Sequence, residues 1–175
     1  ELYSRGLDYH YGYVHAVDKK KAVEYYQKSE KLGNVLATLQ LALIDYEKTR
    51  NAKKWNDKVK RILEKLDAAE NASKETSDDS FMSLVMSLMG NEDHINYLKA
   101  MLTINGIGVK KDVNKGIELL TKASNGYSVF AKAELINIYV TGQIVPKNLD
   151  KAREILEDSG AYMVSPESAC GYYKI

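Results

Sequence analysis

Apolar residues recur along most of the chain with the three- and four-residue spacing of amphipathic helices. The stretch WNDKVKRILEKLDAAEN shows this well, because its large apolar side chains fall on one helical face: these are Trp55, Val59, Ile62, Leu63 and Leu66. Alternating apolar and polar runs, which predict strands, are few, and the 175 residues include only two prolines. The pattern therefore predicts an all-α protein.

A second pattern, which begins with glycine, occurs three times. An acid or amide follows the glycine after six residues, and a small residue follows four residues later. The three sets are Gly12, Asp18 and Ala22, then Gly106, Asp112 and Gly116, then Gly142, Asn148 and Ala152. The first and second copies lie 94 residues apart, and the second and third lie 36 residues apart. Such self-similarity is typical of repeat proteins.

Each position of the pattern has a structural role. The glycine would end one helix in the left-handed conformation, and the acid or amide would accept a hydrogen bond at the start of the next helix. The small residue would let this helix approach its neighbour closely. A phosphate-binding loop is a poorer interpretation of NGIGVKKD, because such a loop needs a longer glycine frame followed directly by a lysine and a hydroxyl residue, and this stretch lacks that second half. The pattern therefore predicts paired helices.

This pattern resembles the Sel-one-like repeat, an α/α relative of the tetratricopeptide repeat. The first unit is matched by Gly6, Tyr9, Gly12, Asp18, Ala22 and Gly33, and a later unit by Ala131, Leu135, Tyr139, Gly142 and Ala152. The resemblance covers residues 1–45 and 95–160. It implies a right-handed α/α solenoid (superhelix) of stacked antiparallel helix pairs, with a concave surface lined mainly by the first helix of each unit.

The sequence also departs from this repeat. Ala100 and Ile136 replace the glycine that Gly6 retains, and Val14 and Ile144 replace the second loop glycine. We interpret residues 1–175 as one solenoid domain with an irregular unit at about 50–95. In that unit, the sequence predicts a loop at residues 72–80 and a short helix from Phe81 to Met89. It also predicts a helix that starts within Asn91 to Asp93 and runs through Ile104. Ser165 and Pro166 predict a C-terminal capping helix over 165–175.

Composition limits the chemistry that the chain can perform. The net charge of +1 gives no general attraction to nucleic acid or anionic lipid, and Cys170, the single cysteine, cannot form an intrachain disulfide. The three histidines have no zinc-motif spacing, so we predict that they lie on the surface. With no hydrolase or zinc-protease motif present, we predict no enzyme activity, metal, cofactor or small-molecule substrate.

The resemblance implies a scaffold or adaptor that binds a protein or peptide partner in its concave groove. Tyrosine is common at binding hot spots, and several tyrosines lie outside the apolar positions of the repeat. The predicted partner-binding residues are Tyr11, Tyr13, His15, Tyr127 and Tyr162. Packing between units is an equally good interpretation of any one of them.

An alternative function rests on the basic amphipathic helix 53–66, which would bind anionic lipid or nucleic acid at its surface. Its basic residues are Lys53, Lys54, Lys58, Lys60, Arg61 and Lys65. Asp57 and Glu64 interrupt the positive charge, so a solvated outer face is the favoured interpretation. The chain begins at Glu1 rather than methionine, and we expect that an upstream segment was removed, which leaves a signal peptide open.

Overall fold

The computed structural model describes residues 1–75, 92–126 and 128–158, without the side chains of residues 69 and 72–75. These ranges contain helices and no strand, which confirms the all-α prediction. The helices are α1 (Leu2–Tyr11), α2 (Lys19–Lys31), α3 (Val35–Thr49), α4 (Asn56–Glu75), α5 (Glu92–Asn105), α6 (Val113–Asn125), α7 (Val129–Thr141) and α8 (Leu149–Asp158).

The helices stack as pairs. Helix α1 packs against α2, α5 against α6, and α7 against α8, so that each glycine-containing loop joins the two members of a pair. Successive pairs also touch, through α2 with α3 and α6 with α7. The first helices of the units form an inner layer, in which α3 contacts α5 and α5 contacts α7. This arrangement is the predicted α/α solenoid of stacked helix pairs.

The repeated positions have the predicted roles. Gly12, Gly106 and Gly142 have φ angles of 77°, 72° and 67°, in the left-handed region where a side chain is costly. The side chains of Asp18, Asp112 and Asn148 accept hydrogen bonds from backbone N–H groups in the first turns of α2, α6 and α8. The loop in each copy therefore ends one helix and starts the next.

The small residue of each copy is buried where two helices meet. A Cβ atom added to Gly116 would lie 2.3 Å from Cγ1 of Ile104 and 3.1 Å from the carbonyl oxygen of Ala100. Helix α6 could not keep its distance from α5 with a larger residue at this position. Close approach within the pair thus explains why the pattern requires a small side chain.

The irregular unit differs from the others at the end of its first helix. Helix α3 ends at Arg50, which adopts a left-handed φ of 52° although it is not glycine. The apolar face predicted for α4 is buried, including Trp55 and Val59. The loop prediction was wrong for residues 72–75, because α4 continues through Glu75, where alanine, lysine and glutamate favour helix.

Helix α5 begins at Glu92, close to its predicted start. The rest of the predicted loop, the helix predicted at 81–89 and the capping helix predicted at 165–175 lie outside the described residues.

Candidate protein-interaction site

Five aromatic side chains from three first helices meet in the inner layer. This aromatic cluster consists of Tyr3 and Tyr11 from α1, His94 and Tyr97 from α5, and Phe130 from α7. The ring of Phe130 lies 4.5 Å from that of Tyr11, 5.0 Å from that of His94 and 5.6 Å from that of Tyr97. The Tyr3 and His94 rings lie 5.8 Å apart. Aromatic pairs at such distances are stabilising.

The aromatic cluster joins parts of the chain that a solenoid normally keeps apart. Units of a solenoid contact mainly their neighbours, yet α1 contacts both α5 and α7 through these rings. The first unit is therefore held against later units, and the inner layer is filled by side chains along this line. A partner can reach the cluster only from its exposed edges.

His94 lies inside the cluster, so the prediction of a surface position was wrong for this residue. It is 7% exposed, and its Nε2 lies 2.6 Å from the hydroxyl oxygen of Tyr3. Its Nδ1 is buried without a hydrogen-bond partner among the described residues. Burial lowers the pKa of His94 to about 4, so the ring is neutral at physiological pH. Neutral imidazole is apolar enough to pack in such a place.

His10 is partly buried, so the prediction of a surface position holds for it only in part. The partly buried ring stacks on Tyr11 at 4.4 Å, and its Nδ1 lies 3.2 Å from the hydroxyl oxygen of Tyr26. Burial, with a smaller contribution from Lys19, lowers the pKa of His10 to about 4. Only His15 is exposed as predicted.

Gln40 of α3 brings polar atoms to the edge of the aromatic cluster. Its side chain is 2% exposed, and Nε2 donates a hydrogen bond of 3.4 Å to the Tyr11 hydroxyl. The Tyr11 and Tyr97 hydroxyl oxygens lie 3.5 Å apart. Oε1 of Gln40 is buried and has no hydrogen-bond partner in the described part of the chain. A buried acceptor without a partner costs free energy, which a ligand that donates a hydrogen bond to it would recover.

Glu134 of α7 adds a carboxylate to the same edge. It lies one helical turn after Phe130 and therefore on the same side of α7. Burial raises the pKa of Glu134, a hydrogen bond from Asn137 lowers it, and the charge of Glu47 raises it. Among residues 1–75, 92–126 and 128–158, no lysine, arginine or histidine forms an ion pair with Glu134.

The structure separates the predicted partner-binding residues. Tyr11 is partly buried in the aromatic cluster. Tyr13 is 51% exposed, and its ring lies 6.0 Å from that of Phe130 at the edge of the cluster. His15 stacks on Tyr9 at 4.9 Å, and its Nδ1 is hydrogen-bonded to the carboxylate of Asp8. Tyr127 and Tyr162 lie outside the described residues.

The basic residues of 53–66 are partly neutralised. Lys54 lies 3.7 Å from a carboxylate oxygen of Asp45, Lys58 lies 2.6 Å from one of Glu30, and Lys60 lies 4.0 Å from one of Glu64. The other three basic side chains of the segment are exposed. Half of the positive charge is therefore paired with carboxylates of the same chain.

Two surface cavities lie in the described part of the chain. The larger, of about 520 Å³, lies between α4 and the loop after α5; Asp57, Lys60, Glu64, Asp67 and Lys110 are its charged residues. A smaller one, of about 210 Å³, is lined by His10, Lys19, Ala22, Ile44, Glu47 and Lys48. Within the described ranges, no three histidine, cysteine or acidic residues converge in a metal-binding group, and no helix is long and apolar enough to cross a membrane.

Gln40, His94, Phe130 and Glu134 were not predicted from the sequence as site residues. Each lies within a first helix of a unit, where periodicity indicates only an inward or outward face. Their meeting depends on how far the solenoid curls, which the repeat does not encode. The one signal in the sequence was the presence of polar residues within the otherwise apolar helices α3 and α5.

The fold and the inner layer of first helices are those of a helical repeat protein. The Sel1 repeat model matches residues 2–34, 100–127 and 137–157, so the chain contains three segments that match the Sel1 repeat. Sel1 repeats are in general protein–protein interaction modules, and their fold is typically a non-catalytic scaffold. A Sel1 repeat protein from Oxalobacter formigenes, solved by crystallography, is 15% identical, with 98% of this chain and 69% of that chain covered and a TM-score of 0.40. None of the curated proteins compared with the chain matches it.

Proposed function

We propose that this protein is a non-catalytic interaction scaffold or adaptor, and that it holds a protein or peptide partner on the concave side formed by the first helices. The general role of Sel1 repeats supports a protein partner. The position of the binding site is supported by Tyr13, whose half-exposed ring lies beside Phe130 at the edge of the aromatic cluster. Val14, which is 82% exposed, extends this apolar surface.

The proposed mechanism is preorganisation. Rings that are already packed against one another lose little conformational freedom when a partner covers them, so less of the binding free energy is spent on ordering. Tyrosine suits this role because its large ring is stiff and its hydroxyl can bond to a polar group of the partner. The contact would centre on Tyr13, and Tyr11 would support it from below.

Lipid or nucleic-acid binding through 53–66 is the alternative. The ion pairs of Lys54, Lys58 and Lys60 with carboxylates weaken the positive surface that this function needs. Three exposed apolar residues, Tyr13, Val14 and Val17, lie together on the α1–α2 loop instead, and this apolar group favours a protein partner.

A capture experiment tests the proposal. The immobilised chain is incubated with an extract of its source organism at two salt concentrations, and the retained protein is then produced pure and titrated. We expect Tyr13→Ala to weaken its binding about tenfold or more, as is typical of a hot-spot aromatic. Leu32→Ala is the matched control, because Leu32 is an exposed apolar residue at the end of α2.

Two outcomes would overturn the proposal. Equal binding by the wild type, Tyr13→Ala and Leu32→Ala would remove the α1–α2 loop from the interface. The second outcome is that only nucleic acid or lipid is retained and that its binding is lost as the salt concentration rises. This result would favour the alternative function, binding through the basic residues of 53–66.

A further inference from the structure

We propose that the edge of the aromatic cluster formed by Glu134, Gln40 and Tyr11 is a receptor for one cationic side chain, a lysine or arginine, of the partner protein. This inference rests on the proposed function, since it names the chemistry of the residue that the partner inserts. Among the residues that the structure describes, the site combines a carboxylate without a cationic partner and a buried amide oxygen without a donor, at one end of a packed set of rings.

Helix geometry brings Glu134 to this place. Phe130 contacts both Tyr11 and Tyr97, and Glu134 follows it by one turn on the same side of α7. The pKa values of Tyr11 and Tyr97 are raised chiefly by burial and also by the charge of Glu134, in agreement with this placement. Glu134 remains partly exposed, so its carboxylate forms the outer part of the site.

Gln40 forms the inner part. Its amide nitrogen donates to the Tyr11 hydroxyl, which leaves Oε1 as a buried acceptor with no partner among the described residues. Gln40 and Glu134 therefore both have acceptor oxygens near Tyr11, and neither is paired with a lysine or arginine side chain within residues 1–75, 92–126 and 128–158. A long side chain with several N–H donors at its tip would satisfy both.

Glu47, Lys19 and Lys48 are the other charged groups around the site. Glu47 lies two turns after Gln40 on the same side of α3, and its charge raises the pKa of both Tyr11 and Glu134. Lys19 pairs with Glu47 at 3.7 Å through exposed atoms, and Lys48 lies with it at the smaller cavity. These lysines lie at that cavity with Glu47, and within the described ranges neither forms an ion pair with Glu134.

A cation fits this place better than a neutral or acidic group. A carboxylate would be repelled by Glu134 and Glu47, and a neutral amide would only add a second uncharged donor to the one that Asn137 already gives the partly buried carboxylate of Glu134. A cation would also lie beside the faces and edges of tyrosine rings, where ammonium and guanidinium groups are attracted. Arginine has the added benefit of a planar group that can bond to two acceptors together.

The test uses peptides of defined charge. Four acetylated and amidated pentapeptides share alanine and glycine flanks and carry arginine, lysine, citrulline or glutamate in the centre. Each is titrated into the labelled protein, while NMR follows the side-chain amide of Gln40 and the ring of Phe130. We expect saturable shifts with arginine and lysine, and binding weaker by about tenfold or more with citrulline, which has the shape of arginine without its charge.

Variants then assign the effect to the carboxylate. Glu134→Gln keeps the size of the side chain, and we expect it to weaken the arginine peptide about tenfold. Glu154→Gln, which removes an exposed carboxylate of α8, should leave the binding unchanged. Far-ultraviolet circular dichroism and the tyrosine ring signals confirm that both variants remain folded.

The results separate this inference from the proposed function. If arginine and citrulline bind equally, or if Glu134→Gln has no effect, the cation receptor is wrong, although a captured protein that depends on Tyr13 would still support the scaffold. If the arginine peptide binds as expected but no protein competes with it, the receptor stands and the scaffold proposal fails. If one protein competes with the arginine peptide, and both Tyr13→Ala and Glu134→Gln weaken the binding of that protein, the scaffold proposal and the cation receptor are both supported.

Discussion

The hydroxyl oxygen of Tyr3 lies 2.6 Å from Nε2 of His94, although the two residues are 91 positions apart in the chain. The bond joins the first helix of the solenoid to α5, and it is buried at both ends. A bond between distant units is unusual in a fold whose units contact mainly their neighbours. The stability of the N-terminal unit should therefore depend on this pair.

Replacing Tyr3 by phenylalanine tests the bond. Tyr3→Phe keeps the ring but leaves Nε2 of His94 buried without a partner, so we expect the free energy of unfolding to fall by about 1–3 kcal/mol. Urea unfolding at pH 7.5 measures this change. The matched control is Tyr46→Phe, since the Tyr46 hydroxyl is not hydrogen-bonded to any other residue in the described ranges. A loss no greater than that of the control would show that the bond contributes nothing.

The same pair predicts a dependence of stability on pH. Burial lowers the pKa of His94 from 6.5 to about 4, so the neutral ring stabilises the folded state above pH 6.5. This stability, about 3 kcal/mol, is lost as the pH falls from 6.5 to 4. His10 contributes in the same direction. Urea unfolding at several pH values should show a shallower fall for His94→Leu than for the wild type, and parallel profiles would contradict the role of His94.

The local features of the fold could be predicted from the sequence. Asp18, Asp112 and Asn148 cap their helices as expected, because an N-cap depends only on the residues within one turn. The glycines that end the first helices behave similarly, because the left-handed conformation is a property of a single residue. The interior of each helix pair follows from the periodicity of the apolar positions.

The site could not be predicted in the same way. Tyr3, His94 and Phe130 belong to three different units, and their contact depends on the curl of the whole stack. A small change in the angle between units would separate them. For the same reason His94 was predicted to lie on the surface: its sequence neighbours Glu92 and Asp93 are polar, and nothing local indicates that α1 covers it.

Close packing in the first unit predicts the effect of a larger residue at Gly6. A Cβ atom there would lie 2.4 Å from Cε1 of the buried Tyr26 ring, so we expect Gly6→Ala to lower the free energy of unfolding by about 1–3 kcal/mol. Helix propensity alone predicts that the free energy of unfolding rises by about 1 kcal/mol. The sign of the measured change therefore shows whether the clash with Tyr26 or helix propensity is the larger effect. Ser4→Ala, an exposed change in the same helix, serves as the control in thermal and urea unfolding.

Because Asp112 caps helix α6, we expect substitutions at this position to lower stability by different amounts. Its side chain accepts a hydrogen bond from the backbone N–H of Lys115 at 3.0 Å. Asp112→Ala removes this bond, and we expect a loss of about 1 kcal/mol. Asp112→Asn should lose much less, because Asn148 already performs the same role in the next unit with a bond of 3.0 Å. Equal losses in the two variants on urea unfolding would contradict a capping role.

At Arg50 we expect a substitution that raises the free energy of unfolding, whereas those above lower it. It ends α3 with a left-handed φ of 52°, a conformation that costs a residue with a side chain about 1–2 kcal/mol relative to glycine. Glycine recovers this cost but adds about 0.4–1 kcal/mol of unfolded-state entropy, so Arg50→Gly should raise the free energy of unfolding by about 0.5 kcal/mol. Gln27→Gly, in the exposed interior of α2, should instead lower it by about 0.5–1 kcal/mol. Urea unfolding of both variants gives the two signs, and a loss of stability in both would mean that Arg50 stabilises α3 through its side chain, which lies over the Tyr46 ring at 6.0 Å.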